Sequence, residues 1–389
     1  MQEAIKFLNN ISRGTLTEIH IADIHFGAID PKLQYNILKE QFIDKIVNIP
    51  FDILSINGDL FDHKFMSNSD VIMYACLFIN NLVEICKNKN ATFVMIAGTY
   101  HHDAGQLKLF YHYIQDPSID IRIVEEARFE YIKGAKILCI PELYNMGADY
   151  YNNLLWNNGT YDAVFMHGAI EGSIYQAKNQ ESGINSDKAP IFKIEDFGLC
   201  TGFIVSGHVH TSGCYNKYFY HCGSPIRWKF GEEADKGFCI ILHNLDTQEH
   251  YFHFETIESF RYDTINLDDM IEQDPKTVIE YINQLQANGI DNIRVIFSKE
   301  DLSDAILSNI NIINDFYKNN NNIKIQFKDR NRCRDTDQIN TFLEENKEYE
   351  FIMDKSLSEY EILTQYINLQ KGYAYITTEE LKKIIMEEI

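Results

Sequence analysis

The chain has 389 residues, of which 45% are hydrophobic and 24% are charged, as is typical of a soluble globular protein. This length exceeds what one hydrophobic core usually organises, so it predicts two or three domains. The formal net charge of −22 argues against a protein that holds nucleic acid through a diffuse basic surface, because Lys and Arg must neutralise the phosphates. It does not exclude a metal-dependent site, since bound cations can reverse the local field.

Three further features bear on location. No apolar run approaches the roughly 20 residues that span a bilayer. The first residues, MQEAIKFLNN, lack the basic start and apolar core of a secretory signal. The eight cysteines include no CxxC pair, which favours free thiols in a reducing compartment. We therefore expect a cytoplasmic protein without a membrane segment.

Apolar runs that end in polar side chains recur along the first third of the chain. The stretch Thr17–Gly27 (TEIHIADIHFG) predicts a buried strand that ends at Asp23 and His25. Helical periodicity follows over Pro31–Pro50, and a second strand within Phe51–Asp62 ends in a Gly-Asp turn. The next elements are a helix over Val71–Lys87 and a strand over Ala91–Ala97, which leads into the turn GTYHHD. This alternation predicts an α/β fold, in which sites lie at the carboxyl ends of the strands.

The chain beyond residue 135 changes character. Closely spaced strand-like runs follow one another: AKILCIPE, DAVFMHG, FIVSGHVH, KYFYHCGS, GFCIILHN and HYFHFETI. Because long helices are missing between most of them, we expect a second, more antiparallel sheet. Two of the runs end in histidine, at His167 and at His208-Val-His210.

Changes in composition and periodicity divide the chain into four predicted segments. Residues 1–14 form an amphipathic helical extension, and residues 15–260 form the main domain. Residues 261–334 contain a β-α-β unit with a strand at Asn292–Ser298, a helix at Leu302–Lys318 and a strand at Ile323–Lys328. Residues 335–389 are acidic, and we expect a helical pair there.

The strand ends together supply side chains that suit divalent metals. They are Asp23, His25, Asp59, His101 or His102, His167, His208 and His210. Carboxylate and imidazole ligands favour metals such as Mn, Fe or Zn. One carboxylate that can bridge, flanked by His and Asp, is what a two-metal centre needs; two cations about 3.5–4 Å apart clamp a phosphate and activate a water. A histidine beside the metals can protonate the leaving alkoxide.

The order and spacing of these residues resemble the calcineurin-like metallophosphoesterases. The matching blocks are D-x-H-x-G, G-D-x-x-D, a G…H-D turn, H-G and G-H-x-H, within residues 23–210. A later stretch, Tyr220–Glu232 followed by Lys236-Gly-Phe, is similar to the GSP…F-x-E…KGF segment of the SbcD-type nucleases, which repair double-strand breaks. The resemblance implies a four-layer α/β/β/α sandwich over residues 15–260, a small α+β capping domain over 261–334 and a partner-binding helical segment over 335–389.

The resemblance also implies a role for each site residue. The first metal would be held by Asp23, His25, Asp59 and His210, with Asp59 bridging to a second metal held by His167 and His208. His102 would be the catalytic histidine, steadied by Asp103, and Asp62 would orient a ligand.

One turn departs from the family pattern. The family has Gly-Asn-His-Asp, whose Asn binds the second metal, whereas this turn is two residues longer and has His101 in the place of the Asn. His101 could ligate the metal or point away, and we expect ligation.

The consecutive residues Arg227, Trp228 and Lys229 are candidates for nucleic-acid contact by stacking and pairing, or for packing at the rim of the site.

These observations lead to one expected function and two alternatives. We expect a DNA exo/endonuclease subunit that binds two divalent metal ions. The expected metal is Mn²⁺, and Mg²⁺, Fe²⁺ and Zn²⁺ are the alternatives. Its partners would be DNA, an SbcC-like SMC-type ATPase and a second copy of the chain, in a bacterial cell or a phage-infected host. The first alternative is a phosphatase or cyclic-nucleotide phosphodiesterase on the same fold. The second is a catalytically weakened subunit that binds DNA ends.

Overall fold

The structure is a computed structural model, and it describes most of the chain up to residue 327. The described residues are 14–103, 105–146, 148–171, 191–232, 234–266, 274–297, 304–320, 322–327, 364 and 377. The predicted extension before residue 14 lies outside them, and so does the predicted helical pair after residue 334, apart from residues 364 and 377. The chain divides into two compact units, one of residues 1–265, 279–294 and 317–324, the other of residues 266–278, 295–316 and 325–389.

The described elements alternate as the sequence predicts for an α/β protein. The strands are β1 (Thr15–Ile21), β2 (Ile53–Asn57), β3 (Thr92–Ile96), β4 (Ile121–Val124), β5 (Arg128–Ile132), β6 (Ala135–Ile140), β7 (Tyr161–His167), β8 (Ala169–Ile170), β9 (Ile191–Phe192), β10 (Cys200–Gly207), β11 (Gly213–Cys214), β12 (Phe219–His221), β13 (Gly237–Asn244), β14 (His250–Thr256), β15 (Tyr262–Asn266), β16 (Asn292–Phe297) and β17 (Ile323–Phe327). The helices are α1 (Pro31–Leu38), α2 (Asp70–Lys89), α3 (Tyr100–Asp103), α4 (Ala148–Trp156), α5 (Pro275–Ala287) and α6 (Asp304–Tyr317).

Local capping explains where the first two long helices begin. The Asp30 carboxylate accepts a hydrogen bond from the Leu33 amide at 2.8 Å, and a proline starts α1. The first helical segment then continues through a π-helical turn at Lys39–Ile43 and a last α-helical turn at Asp44–Ile46. The Ser69 hydroxyl caps α2 by accepting from the Ile72 amide at 3.3 Å.

The first unit contains two six-stranded sheets. The first has the order β14-β13-β1-β2-β3-β4, in which β1 to β4 are parallel and β13 runs antiparallel to β1. The second has the order β11-β12-β10-β7-β6-β5. Its central pairs, β6 with β7, β7 with β10 and β10 with β12, are parallel, whereas the edge pairs are antiparallel.

The prediction of a second, more antiparallel sheet built from all six later runs is therefore wrong in two respects. The runs GFCIILHN and HYFHFETI, which form β13 and β14, join the first sheet beside β1. The others pair mostly in parallel, because the connections between them are long enough to cross over without a long helix. The short helix α4 between β6 and β7 is one such crossover.

The buried hydrophobic residues form three clusters, one between the two sheets and one on the outer face of each sheet. Between them, Ile53 and Ile96 of the first sheet pack in one cluster with Phe165 and Val205 of the second. Helices α1 and α2 cover the other face of the first sheet. Residues of α4 pack on the other face of the second sheet. The α/β class is confirmed, and the carboxyl ends of β1, β2, β3, β7 and β10 carry the polar residues described below.

The predicted strand-helix-strand unit near the end of the described chain is confirmed as β16, α6 and β17. A three-stranded sheet joins β15, β16 and β17, and helix α5, which the sequence reading did not identify, precedes β16. The predicted domain boundaries at 260 and 334 remain predictions. Among the described residues, no helix is long and apolar enough to cross a membrane.

Candidate metal centre

The backbone leaves the strands in a conformation that most residues avoid. Asp23, His25, Asp59 and His208 all have a positive φ, at 52°, 48°, 52° and 80°. Such left-handed residues are uncommon outside glycine and cost free energy, and they concentrate at functional sites. Backbone hydrogen bonds hold the first loop to the second, since the Asp23 amide donates to the Gly58 carbonyl at 3.1 Å and the His25 amide donates to the Asp59 carbonyl at 3.0 Å.

Two glycines allow the loops to approach one another. A Cβ atom on Gly58 would lie 2.1 Å from Nδ1 of His167, and one on Gly98 would lie 2.1 Å from Oδ1 of Asp59. Both distances are far below any normal contact. Any larger residue at either position would displace a side chain of the site.

The first cluster joins Asp23, His25 and His210. The ligand atoms of the three side chains lie within 4.8 Å of one another. His25 is buried, and neither of its ring nitrogens has a hydrogen-bond partner among the described residues. Burial lowers the pKa of His210 although Glu232 lies beside it, and this favours the neutral imidazole that metals bind. Unsatisfied nitrogens beside a buried carboxylate are what a cation would satisfy.

The second cluster joins Glu142, His167 and His208. The Glu142 Oε2 atom lies 3.1 Å from His208 Nδ1 and 3.9 Å from His167 Nε2. The Nδ1 atom of His167 is 2.8 Å from the Asn57 carbonyl oxygen, to which it can only donate. This hydrogen bond fixes the tautomer and leaves Nε2 free to bind a metal.

Asp59 lies between the two clusters. Its Oδ2 atom is 3.6 Å from His25 Nε2 and 3.3 Å from His167 Nε2. Its Oδ1 atom accepts a hydrogen bond from the Thr99 amide at 2.6 Å. Burial would favour the neutral acid, but His167 holds the pKa of Asp59 well below its usual range. The Asp59 carboxylate therefore lies within reach of both clusters.

His102 lies at the accessible side of Asp59. Its Nε2 atom is 3.9 Å from Asp59 Oδ2, and 30% of its side chain is exposed, so a substrate can reach it. Its Nδ1 atom is hydrogen-bonded to the Asp62 carbonyl. The Asp62 carboxylate lies 3.6 Å from His25 Nδ1, which is close but beyond hydrogen-bond distance.

Asp103 does not steady the His102 ring as the resemblance implied. Its buried carboxylate accepts hydrogen bonds from three backbone amides, those of Leu60, Phe61 and Gly98. Asp103 thus links the loop that carries Asp59 to the Gly98 turn. The His102 ring is instead hydrogen-bonded to the Asp62 carbonyl.

The expectation that His101 ligates a metal needs correction. Its side chain is exposed, and its ring lies beside Tyr100 and Tyr144 with centroid distances of 6.0 and 6.5 Å. It is absent from the metal-binding groups formed by the described residues. Because the turn forms the short helix α3, consecutive residues point in different directions, and only His102 faces Asp59.

Glu142 is a candidate metal ligand that the sequence analysis does not include. It lies two residues after the end of β6 and is 7% exposed, which is uncommon for a glutamate and indicates that it is paired. The available signal was the same as for the other residues, an apolar run that ends in a metal-binding side chain. The run AKILCIPE ends in this carboxylate, just as the other apolar runs end in Asp or His.

The three candidate nucleic-acid contacts occupy different environments. The Arg227 side chain is 12% exposed, and its guanidinium donates to the backbone carbonyls of Glu232 and Ala234 at 3.0 and 2.8 Å. The Trp228 ring packs against the rings of His25 and His210, with centroid distances of 4.7 and 4.8 Å. Lys229 is half-buried. Arg227 therefore stabilises a loop, and Trp228 forms a wall of the first cluster.

Comparison with known proteins adds little to this geometry. No protein-family profile and no curated protein matches the chain. A solved structure of a mutant cold-active protein tyrosine phosphatase matches 62% of this chain and 80% of its own, at 12% identity and a TM-score of 0.28. Another structure of a cold-active protein tyrosine phosphatase matches 61% of this chain and 78% of its own, at 12% identity and a TM-score of 0.27. Scores this low carry no functional argument, so the function must be argued from the site.

Proposed function

We propose that this chain is a metal-dependent phosphodiesterase with two divalent cations. The observation that carries the proposal is the shared position of Asp59, whose Oδ2 atom lies 3.6 Å from His25 in one cluster and 3.3 Å from His167 in the other. A single bridging carboxylate between two sets of His and acidic ligands is the arrangement that two-metal hydrolysis needs.

The side chains present fit such metals. The first would be held by Asp23, His25 and His210, the second by Glu142, His167 and His208, with Asp59 shared. Mixed oxygen and nitrogen donors without thiolate favour Mn²⁺, with Fe²⁺, Zn²⁺ and Mg²⁺ as alternatives. When bound, the cations would polarise a phosphoryl oxygen and lower the pKa of a water.

The chain's own residues supply the remaining chemistry. His102 is the candidate general acid, because it is partly exposed beside Asp59 and can carry a proton on Nε2 toward a leaving oxygen. Its Nδ1 contact with the Asp62 carbonyl fixes the orientation of the ring. The Thr99 amide holds the Asp59 carboxylate in place at 2.6 Å. Asp103 keeps the loops that carry Asp59 and His102 together.

More particularly, we propose an SbcD-like nuclease subunit that cuts DNA together with an SMC-type ATPase and a second copy of the chain. One support is the order of the strand-end motifs. Another is the stretch from Tyr220 to Phe238, in which Trp228 and Glu232 both contact His210 of the first cluster. Helices on the outer faces of two packed sheets suit the four-layer metallophosphoesterase sandwich. The chain carries a charge of −22, so the cations and the ATPase would provide most of the attraction for DNA.

The test compares two substrates and two matched histidine variants. End-labelled linear duplex DNA and a generic aryl phosphodiester are incubated with wild-type protein in Mn²⁺, Mg²⁺ or EDTA. The His102→Ala variant should lose hydrolysis while keeping its metal content. The His101→Ala variant should remain active, because that neighbouring ring is exposed outside the clusters.

Each outcome distinguishes the alternatives. Mn²⁺-dependent degradation of DNA supports the nuclease proposal. Hydrolysis of the small diester alone supports a phosphatase or cyclic-nucleotide phosphodiesterase. Metal binding without hydrolysis of either substrate, even with the ATPase added, contradicts the enzyme proposal and favours a subunit that only binds DNA ends.

A further inference from the structure

A buried acidic and basic pair lies directly behind His210. Glu232 and Lys236 are each only 1% exposed, although both side chains are charged in water. The Glu232 Oε1 atom is 3.0 Å from His210 Nδ1 and 3.7 Å from Lys236 Nζ. Burying two such groups is costly unless both are paired. The contacts of the pair with His210 indicate what this burial achieves.

Two contacts of the Glu232 carboxylate lead to the first cluster. Because a carboxylate can only accept, the hydrogen bond at 3.0 Å makes His210 carry its proton on Nδ1 and turns the free Nε2 toward Asp23, 3.9 Å away. The other oxygen of Glu232 accepts from the Trp228 amide at 3.1 Å. The indole of Trp228 in turn lies 4.7 Å from the His25 ring and 4.8 Å from the His210 ring.

Lys236 completes the arrangement from the other side. Its ammonium donates to the His210 carbonyl at 2.9 Å and to the Ser224 hydroxyl at 2.8 Å. Thus Lys236 fixes the backbone of His210 while Glu232 fixes its ring. Lys236 also balances the charge of Glu232, so the carboxylate can stay ionised without exposure to water.

We propose that Glu232 is a positioning residue for the metal centre. It sets the tautomer and direction of the His210 ring, and it holds Trp228 against the two histidines of the first cluster. Lys236 offsets the cost of burying the Glu232 carboxylate by pairing with it. The inference rests on the proposed function because it takes His210 as a metal ligand. Outer partners of this kind typically change metal affinity 10- to 100-fold.

The test measures Mn²⁺ binding by isothermal titration calorimetry in wild-type protein, Glu232→Gln and Glu232→Ala. We expect one of the two Mn²⁺ sites to weaken about 10- to 100-fold in Glu232→Ala. The weakening should be smaller in Glu232→Gln, whose amide oxygen can still accept from His210 while its NH₂ group faces the Trp228 amide. The nearly isosteric Gln variant also serves if the Ala variant does not fold.

A second measurement separates positioning from general stability. Trp156 is replaced by Phe so that Trp228 is the remaining tryptophan of the two in the chain. Mn²⁺ bound beside His25 and His210 should quench the fluorescence of Trp228, and in the Glu232 variants this quenching should need higher Mn²⁺ concentrations. The matched control is Glu255→Gln on β14, a carboxylate that pairs with Lys45 at 3.0 Å outside the clusters. It should leave binding and quenching unchanged.

The outcomes separate this inference from the proposed function. Wild-type protein that binds no Mn²⁺ overturns both. Wild-type protein that binds two Mn²⁺, together with folded Glu232 variants of unchanged affinity, overturns only the role of Glu232. Selective weakening of one site in the Glu232 variants, with Glu255→Gln unchanged, supports the role.

Discussion

A single methyl group on Gly98 should disable both metal clusters. A Cβ atom there would lie 2.1 Å from Asp59 Oδ1 and 2.2 Å from the Asp59 backbone nitrogen, whereas real Cβ atoms essentially never come closer than 3.0 Å. Asp59 or the Gly98 turn must therefore move by roughly 1 Å, and because one of the two atoms is backbone, a change of rotamer cannot relieve the contact. The same shift would disturb the hydrogen bond from Thr99 to Asp59.

The size of the effect follows from this displacement. A misplacement of about 1 Å can cost about 10²-fold in rate, and overpacking of a tight site typically costs about 1–3 kcal/mol of stability. We therefore expect Gly98→Ala to lower Mn²⁺-dependent phosphodiester hydrolysis about 10²-fold, to weaken Mn²⁺ binding in calorimetry and to lower the melting temperature by several degrees.

Gly213→Ala is the matched control, because a Cβ atom there meets nothing within 4 Å and the backbone is not left-handed. It should bind metal and hydrolyse substrate as the wild type does. If folded Gly98→Ala protein shows wild-type Mn²⁺ affinity and activity, Asp59 does not occupy the tightly packed position that the account gives it.

Two further predictions follow from the described contacts. Glu142→Ala should reduce bound Mn²⁺ from two ions to about one, measured by elemental analysis after gel filtration, whereas His101→Ala should keep both; equal loss in the two variants would contradict the ligand set. The second concerns buried Glu18, 3.5 Å from His243. Burial opposes both charges, but His20 and His243 lower the pKa of Glu18 below 4.5 and Glu18 raises the pKa of His243 above 6.5. Their stabilisation should be complete between pH 4.5 and 6.5, lost at lower pH as Glu18 is protonated and lost at higher pH as His243 loses its proton. Urea unfolding should show this bell-shaped difference between wild type and Glu18→Gln, and a difference that does not change with pH would contradict it.

The sequence was most informative where strand order decides position. Asp23 and Asp59 follow the neighbouring parallel strands β1 and β2, whose carboxyl ends lie at one edge of the first sheet, and His167 ends β7 of the second sheet. The structure brings these three side chains within metal-binding distance of one another. For Asp23 and Asp59 the sequence pattern is sufficient, because strand direction and burial fix where each segment ends, whereas the approach of His167 depends on the packing of the second sheet against the first.

Local geometry and sheet membership were harder to predict. The choice between His101 and Glu142 depends on how one short helix rotates its side chains, and the motif gives spacing but not direction. Likewise, β13 pairs with β1 across more than 200 residues of chain, a contact that neighbouring residues do not encode. The contacts of Arg227 with backbone carbonyls depend on the fold of the loop around it, so its charge alone does not decide between nucleic-acid contact and packing at the rim.

The most direct test of the two-metal centre is anomalous diffraction from crystals grown with Mn²⁺. We expect two manganese peaks, with Asp59 as a ligand of both. The expected ligands are Asp23, His25 and His210 at one peak and Glu142, His167 and His208 at the other. A single peak, or peaks that do not share Asp59, would contradict the account.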